Sequence, residues 1–139
     1  MENKKDIENR EDVIKFVDNF YKKVEKDSTI GFIFTDIAKV DWSHHLPKMY
    51  DFWESVLFGK ALFKGSPMEV HFKLNKEQPL TAKEFDRWKA LFIETIDEYF
   101  SGFQAEETKK KAASIADLML FKISSPRSFG ITIKNKGAE

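Results

Sequence analysis

The chain has 139 residues, of which 42% are apolar and 33% are charged, as expected for one soluble globular domain. Its 23 basic and 23 acidic residues balance to zero, so it lacks the positive field that drives nucleic-acid binding. The absence of cysteine excludes disulfides, thiolate-bound metal centres and a cysteine nucleophile. No apolar run approaches the roughly 20 residues of a membrane span and no signal peptide is evident, so we expect a cytoplasmic protein without a membrane partner.

Aromatic residues are unusually frequent, with 14 Phe, 3 Trp and 3 Tyr against only 6 Gly and 4 Pro. Aromatic rings contribute large apolar areas. They either fill the core of a small domain or line a pocket for a flat ligand, and composition does not choose between these.

The first predicted helix runs from about residue 11 to residue 26, where apolar residues recur with a 3.6-residue period. Its apolar positions are Val13, Phe16, Val17, Phe20, Tyr21 and Val24. Gly31 interrupts the pattern, and a short apolar cluster follows at residues 32–34.

The second predicted helix runs from about His44 to Phe58, and Gly59 is a plausible C-terminal stop. Its apolar stripe is His45, Met49, Phe52, Trp53, Val56 and Leu57. Because proline is tolerated in a first helical turn but not later, Pro47 places the helix start near His44 and leaves Trp42 outside it.

A turn-rich stretch at residues 64–67 precedes a short segment, Met68 to Leu74, which contains His71. Apolar residues alternate there as they would in a strand, and they alternate again at Phe129, Ile131 and Ile133. Two short strands would form only a marginal ribbon, so the predicted class remains all-α.

The third long helix has the clearest start signal, a capping box formed by Thr81 and Glu84, and is predicted to end at Gly102. A fourth helix is predicted from about Ala105 to Ile123. We expect a lead segment at residues 1–10, a folded domain at 11–123 and a polar tail at 124–139. The tail is either loose or an arm docked on a neighbour.

Three histidines are the main candidates for chemistry. His44 shares a helix face with Lys48 and Asp51, which predicts a solvent-exposed side chain. His45 lies on the apolar stripe, so it is either a hydrogen-bonded core histidine or a ligand or gate. His71 is either a structural residue or an iron ligand, since histidine is the usual proximal ligand of haem.

Tyr21 and Trp88 are a second pair of candidates, because both fall on inward-facing stripes and both carry a hydrogen-bond donor. Each either packs in the core with its donor bonded to a carbonyl or points its donor at a small ligand. The sequence has neither Glu-x-x-His nor His-x-x-x-His spacing and no Gly-rich phosphate loop. Its carboxylates fall on helix faces that are predicted to be solvent-exposed, so other enzyme classes are poorly supported.

Five sequence runs in this order resemble the group III truncated haemoglobins. They are residues 20–24, residues 31–34, residues 42–53 with Trp-Ser-His-His-Leu and Phe-Trp, residues 65–71 with Gly-Ser-Pro and Val-His, and residues 85–92 with Phe-Asp-Arg-Trp and Leu-Phe. The resemblance covers about residues 11 to 123, and its specificity comes from the order and spacing of the runs.

The resemblance implies a shortened globin fold, in which a two-on-two helical sandwich surrounds a non-covalent haem b (iron protoporphyrin IX). It implies that His71 is the proximal iron ligand and that Tyr21, His45 and Trp88 lie on the distal side. It further implies that Lys48 reaches a haem propionate. The residues then expected to contact the macrocycle are Met49, Trp53, Phe92 and Met119.

The function implied by this resemblance is binding of O2, NO, CO or another diatomic gas at a five-coordinate iron. Donors from Tyr21 and Trp88 would slow oxygen escape, which argues against simple delivery. Slow release would instead suit a nitric oxide dioxygenase, a peroxidase or a sensor, with an unidentified reductase as a further partner. A haem-free helical interaction module is the alternative from another class, and we expect a monomer or weak dimer.

Overall fold

The computed structural model describes residues 3–60 and 67–124, with residues 67–69 described by their backbone only. Its helices are α1 (Arg10–Lys26), a π-helical turn (Ile33–Ile37), α2 (Trp42–Phe58), α3 (Pro67–Glu77), α4 (Ala82–Tyr99) and α5 (Phe103–Ser124). No strand occurs within these described ranges, so the predicted all-α class is confirmed. The alternating residues Phe129, Ile131 and Ile133 and nearly all of the predicted tail lie outside the described residues.

The helices form two packed pairs around an aromatic core. Helix α1 packs against α2, α4 packs against α5, and α1 joins the pairs by its contact with α4, while α3 lies against α5. Phe92 of α4 meets Phe16 and Phe20 of α1 edge to face, with ring centroids 5.7 and 5.2 Å apart. Part of the aromatic excess therefore fills the junction between the two pairs.

Helix α2 begins earlier than the sequence predicts. The carboxylate of Asp41 accepts a hydrogen bond from the Ser43 amide at 3.1 Å and so caps a helix whose first residue is Trp42. The predicted start at His44 is therefore wrong, and Pro47 is the sixth residue of the helix. Proline has no N–H, so the helix proceeds without the bond that residue 47 would donate to the Ser43 carbonyl. The predicted stop at Gly59 is confirmed by its left-handed backbone, φ 70°.

The segment from Met68 to Leu74 lies in helix α3 and not in a strand. The strand-like alternation of its apolar residues therefore does not reflect a strand, and Val70 in this run is 63% exposed. Pro67 is the first residue of α3, a position where its missing N–H costs nothing. A seven-residue run of alternating apolar residues is too short to distinguish the two periods, and the proline start favours the helix.

The predicted lead segment is packed onto the domain, with Ile7 buried in the core. Its Asp6 carboxylate accepts hydrogen bonds from the amides of Gln104 and Ala105, at 2.9 and 2.8 Å, and so caps the start of α5 from a distant part of the sequence.

The capping box at Thr81 and Glu84 is confirmed, but α4 ends at Tyr99 and not at Gly102.

Gly102 instead lies beside this cap, at φ 137°. A Cβ atom there would meet Asp6 Cγ at 2.6 Å, so the close approach of the capping carboxylate requires glycine.

Candidate functional site

One cavity of about 410 Å³ lies between the two helix pairs and α3. This volume is within the roughly 300–1,000 Å³ range of small-molecule sites. Its wall is mostly apolar and carries the few polar groups on which any chemistry would depend. The cavity brings together eight of the nine predicted site residues, namely Tyr21, His45, Lys48, Met49, Trp53, His71, Trp88 and Met119.

His71 enters the cavity wall from α3, together with Val70 and Leu74. The imidazole is half-buried. Because α3 is short and packs against α5, it carries the histidine to the cavity edge without belonging to either long helix pair. An imidazole in this setting can act as a metal ligand through one ring nitrogen.

His45 enters the wall from α2, and its Nε2 atom is buried without a hydrogen-bond partner among the described residues. Burial is the main reason that the pKa of His45 is lowered to about 4, and the nearby positive charges of Lys48 and His71 lower it further. The imidazole is therefore neutral at pH 7. A buried ring nitrogen without a partner is costly unless something in the cavity hydrogen-bonds it, so this atom indicates a ligand.

Tyr21 of α1 is buried and lies 5.1 Å from the His45 ring, measured between centroids. Burial raises the pKa of its hydroxyl, which therefore stays protonated at neutral pH and can donate a hydrogen bond. Trp88 of α4 reaches the same cavity and lies 5.4 Å from Phe20. Within the described residues neither the Tyr21 hydroxyl nor the Trp88 indole N–H has a hydrogen-bond partner.

Phe92 is the predicted site residue that does not line the cavity. It is 1% exposed and packs behind the wall, 4.9 Å from Trp53 and 5.4 Å from Trp88 between ring centroids. Its place in the middle of the α4 stripe puts it at the junction with α1. It therefore supports two residues of the wall from behind.

The sequence did not single out several other residues of the wall. These are Ile30, Ile33, Phe34, Phe52, Leu80, Glu84, Phe85, Ile115 and Ala116. Phe52 belongs to an apolar stripe whose inward direction was predicted, but a stripe does not reveal which of its members border a cavity. Glu84 is unexpected, because its capping role at Thr81 Nα, 2.7 Å away, gave no sign that it also borders the cavity.

Glu54 is buried, contrary to the prediction that the carboxylates lie on solvent-exposed faces. Its side chain is 5% exposed and pairs with Arg10 at 2.6 Å and Lys60 at 2.9 Å. Hydrogen bonds from Lys60 and Arg10 lower the pKa of its carboxyl. These partners lie elsewhere in the sequence, and the cluster fastens α2 to the start of α1 outside the cavity. His44, in contrast, is exposed as predicted.

These residues suit a flat, iron-containing group better than a bare metal ion. In residues 3–60 and 67–124 no group of three or more His, Asp or Glu side chains is arranged to hold a metal ion. The wall instead combines aromatic rings with two imidazoles, and one of those imidazoles has a buried nitrogen without a partner. None of the helices in this part of the chain is long and apolar enough to span a membrane.

Comparisons with known proteins identify the family to which this fold belongs. A family model described as bacterial-like globin matches residues 5–122. The chain is 29% identical over 111 residues to a group 3 truncated hemoglobin of Campylobacter jejuni, covering 78% of this chain and 85% of that protein. It also matches the crystal structure of a group III truncated hemoglobin from Campylobacter jejuni, with a TM-score of 0.77 and 28% identity. That match covers 87% of this chain and 95% of the other, and it confirms the predicted shortened globin fold.

Proposed function

Because the chain belongs to the bacterial-like globin family and is therefore a haem protein, we propose that it holds one non-covalent haem b and binds O2 and other diatomic gases at a five-coordinate iron. The observation that carries this proposal is the meeting of His71, Tyr21, His45 and Trp88 at one cavity. They come from four helices, and core packing alone does not explain why four side chains with polar ring atoms or hydrogen-bond donors line the same cavity.

His71 is the proposed axial ligand. It would bind through one ring nitrogen, and an acceptor for the other N–H would fix the ring orientation and raise its basicity. Its place on a short helix supports this role, because α3 can deliver one ligand without burying a whole face.

Tyr21 and Trp88 are the proposed hydrogen-bond donors on the other side of the cavity. The haem supplies the iron at which a gas binds and acquires partial negative charge. The Tyr21 hydroxyl and the Trp88 indole N–H would donate to that charge in a largely apolar cavity, each contributing about 1 kcal/mol net. Neither donor has another partner among the described residues, so neither would have to give up an existing bond.

His45 is proposed as a further distal residue that gates the cavity or adds a hydrogen bond. Its buried Nε2 supports contact with a ligand, and its neutral state allows that nitrogen either to donate or to accept.

The remaining predicted residues would hold the macrocycle. Met49, Trp53 and Met119 offer apolar contacts from the wall, and Phe92 would support them from the second layer. Lys48 lines the cavity and is exposed, which suits an ion pair with a propionate at the cavity mouth.

The absorption spectrum of the ferrous protein, with and without carbon monoxide, tests this proposal. A Soret band that shifts when carbon monoxide is added is the expected result. A purified protein without a Soret band, even after haem is supplied, would instead support a haem-free helical interaction module.

Retention of the gas favours a second candidate function, detoxification by a nitric oxide dioxygenase or a peroxidase with an unidentified reductase. The observation behind it is the pair of available donors, which slow release and therefore suit reaction better than delivery. Consumption of nitric oxide by the oxygenated protein, compared with turnover of peroxide and a reducing dye, would separate the two reactions.

A further inference from the structure

Trp42 contacts three rings of the cavity wall but does not line the cavity itself. Its ring centroid lies 5.4 Å from that of Tyr21, 6.2 Å from that of Phe34 and 5.7 Å from that of His45. All three of those side chains border the cavity. Trp42 is stacked on Phe34, with 13° between the planes, and meets the His45 imidazole edge to face at 75°.

We propose that Trp42 is a positioning residue that keeps the His45 imidazole on the cavity side of α2. The proposal rests on the distal role proposed above for His45. Trp42 stands three residues before His45, so their side chains are neighbours on one helix face. The ring therefore blocks the outward path by which the imidazole would leave the cavity.

The restraint on His45 comes from ring contacts and not from hydrogen bonding. Its Nε2 has no partner in the described part of the chain, and its described ring contacts are with Tyr21 and Trp42. Tyr21 meets the imidazole from the core helix α1. Trp42 meets it from the first turn of α2, so the imidazole is held between two rings.

Trp42 is itself well anchored. The Asp41 carboxylate accepts hydrogen bonds from the Ser43 amide at 3.1 Å and from the Ser43 hydroxyl at 2.7 Å, which fixes the first turn of α2. The stacked ring of Phe34 links this turn to the π-helical turn. A side chain fixed from two directions can position a neighbour that lacks a hydrogen bond of its own.

The experiment compares Trp42→Ala and Trp42→Phe in the haem-loaded protein. The first readout is modification of His45 by diethyl pyrocarbonate, at a pH where imidazoles are neutral. Exposed His44 provides the reference rate in the same peptide. Loss of one aromatic pair is expected to increase His45 modification relative to His44 roughly twofold to tenfold, and phenylalanine should restore most of the protection.

The second readout is the association rate of carbon monoxide, measured in the normal and the His45→Ala backgrounds. If Trp42 acts through His45, Trp42→Ala increases this rate in the normal background and changes it little once His45 is absent. Tyr99→Ala is the matched control, because Tyr99 is a half-buried aromatic residue that contacts Asn19 and Lys15 away from the cavity. It should change neither readout.

Unchanged His45 modification in Trp42→Ala would overturn the proposal, as would an equal rate change with and without His45. Trp42→Leu, which keeps much of the side-chain volume but removes the ring, supplies the same comparison if alanine prevents folding. Failure of the proposed function looks different, since the protein would then form no carbon monoxide complex. The modification ratio would still test the contact between Trp42 and His45, because it needs no haem.

Discussion

The rings of Tyr21 and His45 meet edge to face, with centroids 5.1 Å apart and planes at 82°. One belongs to α1 and the other to α2, so the contact depends on the packing of that helix pair. It leaves the Tyr21 hydroxyl and the His45 Nε2 atom without hydrogen-bond partners among the described residues, beside the same cavity. A buried polar atom without a partner, such as His45 Nε2, indicates a site for a small polar ligand.

Loss of either proposed donor should accelerate oxygen release. Tyr21→Phe and Trp88→Phe each remove a hydrogen bond worth about 1 kcal/mol, so we expect the dissociation rate to rise about fivefold in each variant. Stopped-flow displacement of oxygen by carbon monoxide measures this rate. Tyr99→Phe is the control, because its hydroxyl lies 3.3 Å from the Asn19 side chain and Tyr99 does not line the cavity. Unchanged rates in both variants would show that the donors do not reach the bound gas.

Removal of His71 should weaken haem binding more than removal of any other histidine. His71→Ala takes away the proposed axial ligand, and we expect haem to dissociate more than about tenfold faster, which corresponds to about 1.4 kcal/mol. Transfer of haem to an excess of a second haem protein reports the rate. Added imidazole should restore the five-coordinate spectrum, while His44→Ala should match the unchanged protein. Equal rates of haem dissociation from His71→Ala and His44→Ala would show that His71 is not the axial ligand.

The sequence predicted which side chains face inward better than which of them line the cavity. Tyr21 and His45 follow from helical periodicity, because a residue on an apolar stripe must face the core. Phe92 lies on a stripe as well, yet it packs behind Trp53 and not beside the cavity. Periodicity gives the direction of a side chain and not its depth, so it could not separate the lining layer from the layer behind it.

The polar groups that join distant segments were also beyond prediction. Asp6 caps a helix whose first turn lies almost one hundred residues later, and Glu54 is buried because Arg10 and Lys60 come to it in the fold. A single sequence shows each residue's local pattern only. Trp42 illustrates the same limit at short range, since the cap at Asp41 outweighed the proline signal that placed the helix start later.

The ion pair between Asp27 and Arg87 should make stability depend on pH. Burial alone would raise the pKa of the Asp27 carboxyl, but hydrogen bonds from Arg87 and from the amides of Ile30 and Thr29 outweigh it and lower the pKa. Arg87 Nε lies 2.7 Å from the carboxylate, which is 4% exposed. The stabilisation is therefore fully present above the unfolded pKa of about 3.9 and is lost as the pH falls through the lower folded value.

Arg87→Ala should accordingly lower the free energy of unfolding by about 1 kcal/mol at neutral pH, since the arginine is partly exposed. The difference in the free energy of unfolding between Arg87→Ala and the unchanged protein should shrink when Asp27 is protonated in both proteins. Urea titrations at neutral pH and at a series of acidic pH values below the unfolded pKa of about 3.9 measure how this difference declines. Lys83→Ala, which alters an exposed cation in the same helix, is the control. A difference that persists undiminished in acid would mean that Arg87 stabilises the fold by packing.

Two glycines offer a matched test of the cap that Asp6 places on α5. Gly59→Ala puts a Cβ into open space at φ 70°, so it should cost only the left-handed backbone penalty of about 1–2 kcal/mol. Gly102 also has a positive φ, 137°, and Gly102→Ala adds a Cβ that would meet Asp6 Cγ at 2.6 Å. We therefore expect it to cost about 1–3 kcal/mol more than the first variant, because either the backbone or the capping carboxylate must move.

Thermal and urea unfolding of both variants, with Asp6→Ala as a third, would separate the backbone penalty from the lost cap. The combination of Gly102→Ala with Asp6→Ala should cost less than the sum of the two, since the clash disappears with the aspartate side chain. Strict additivity would show that the two residues act independently. In that case, the cost of Gly102→Ala would come from its backbone conformation at φ 137° and not from a clash with the capping carboxylate.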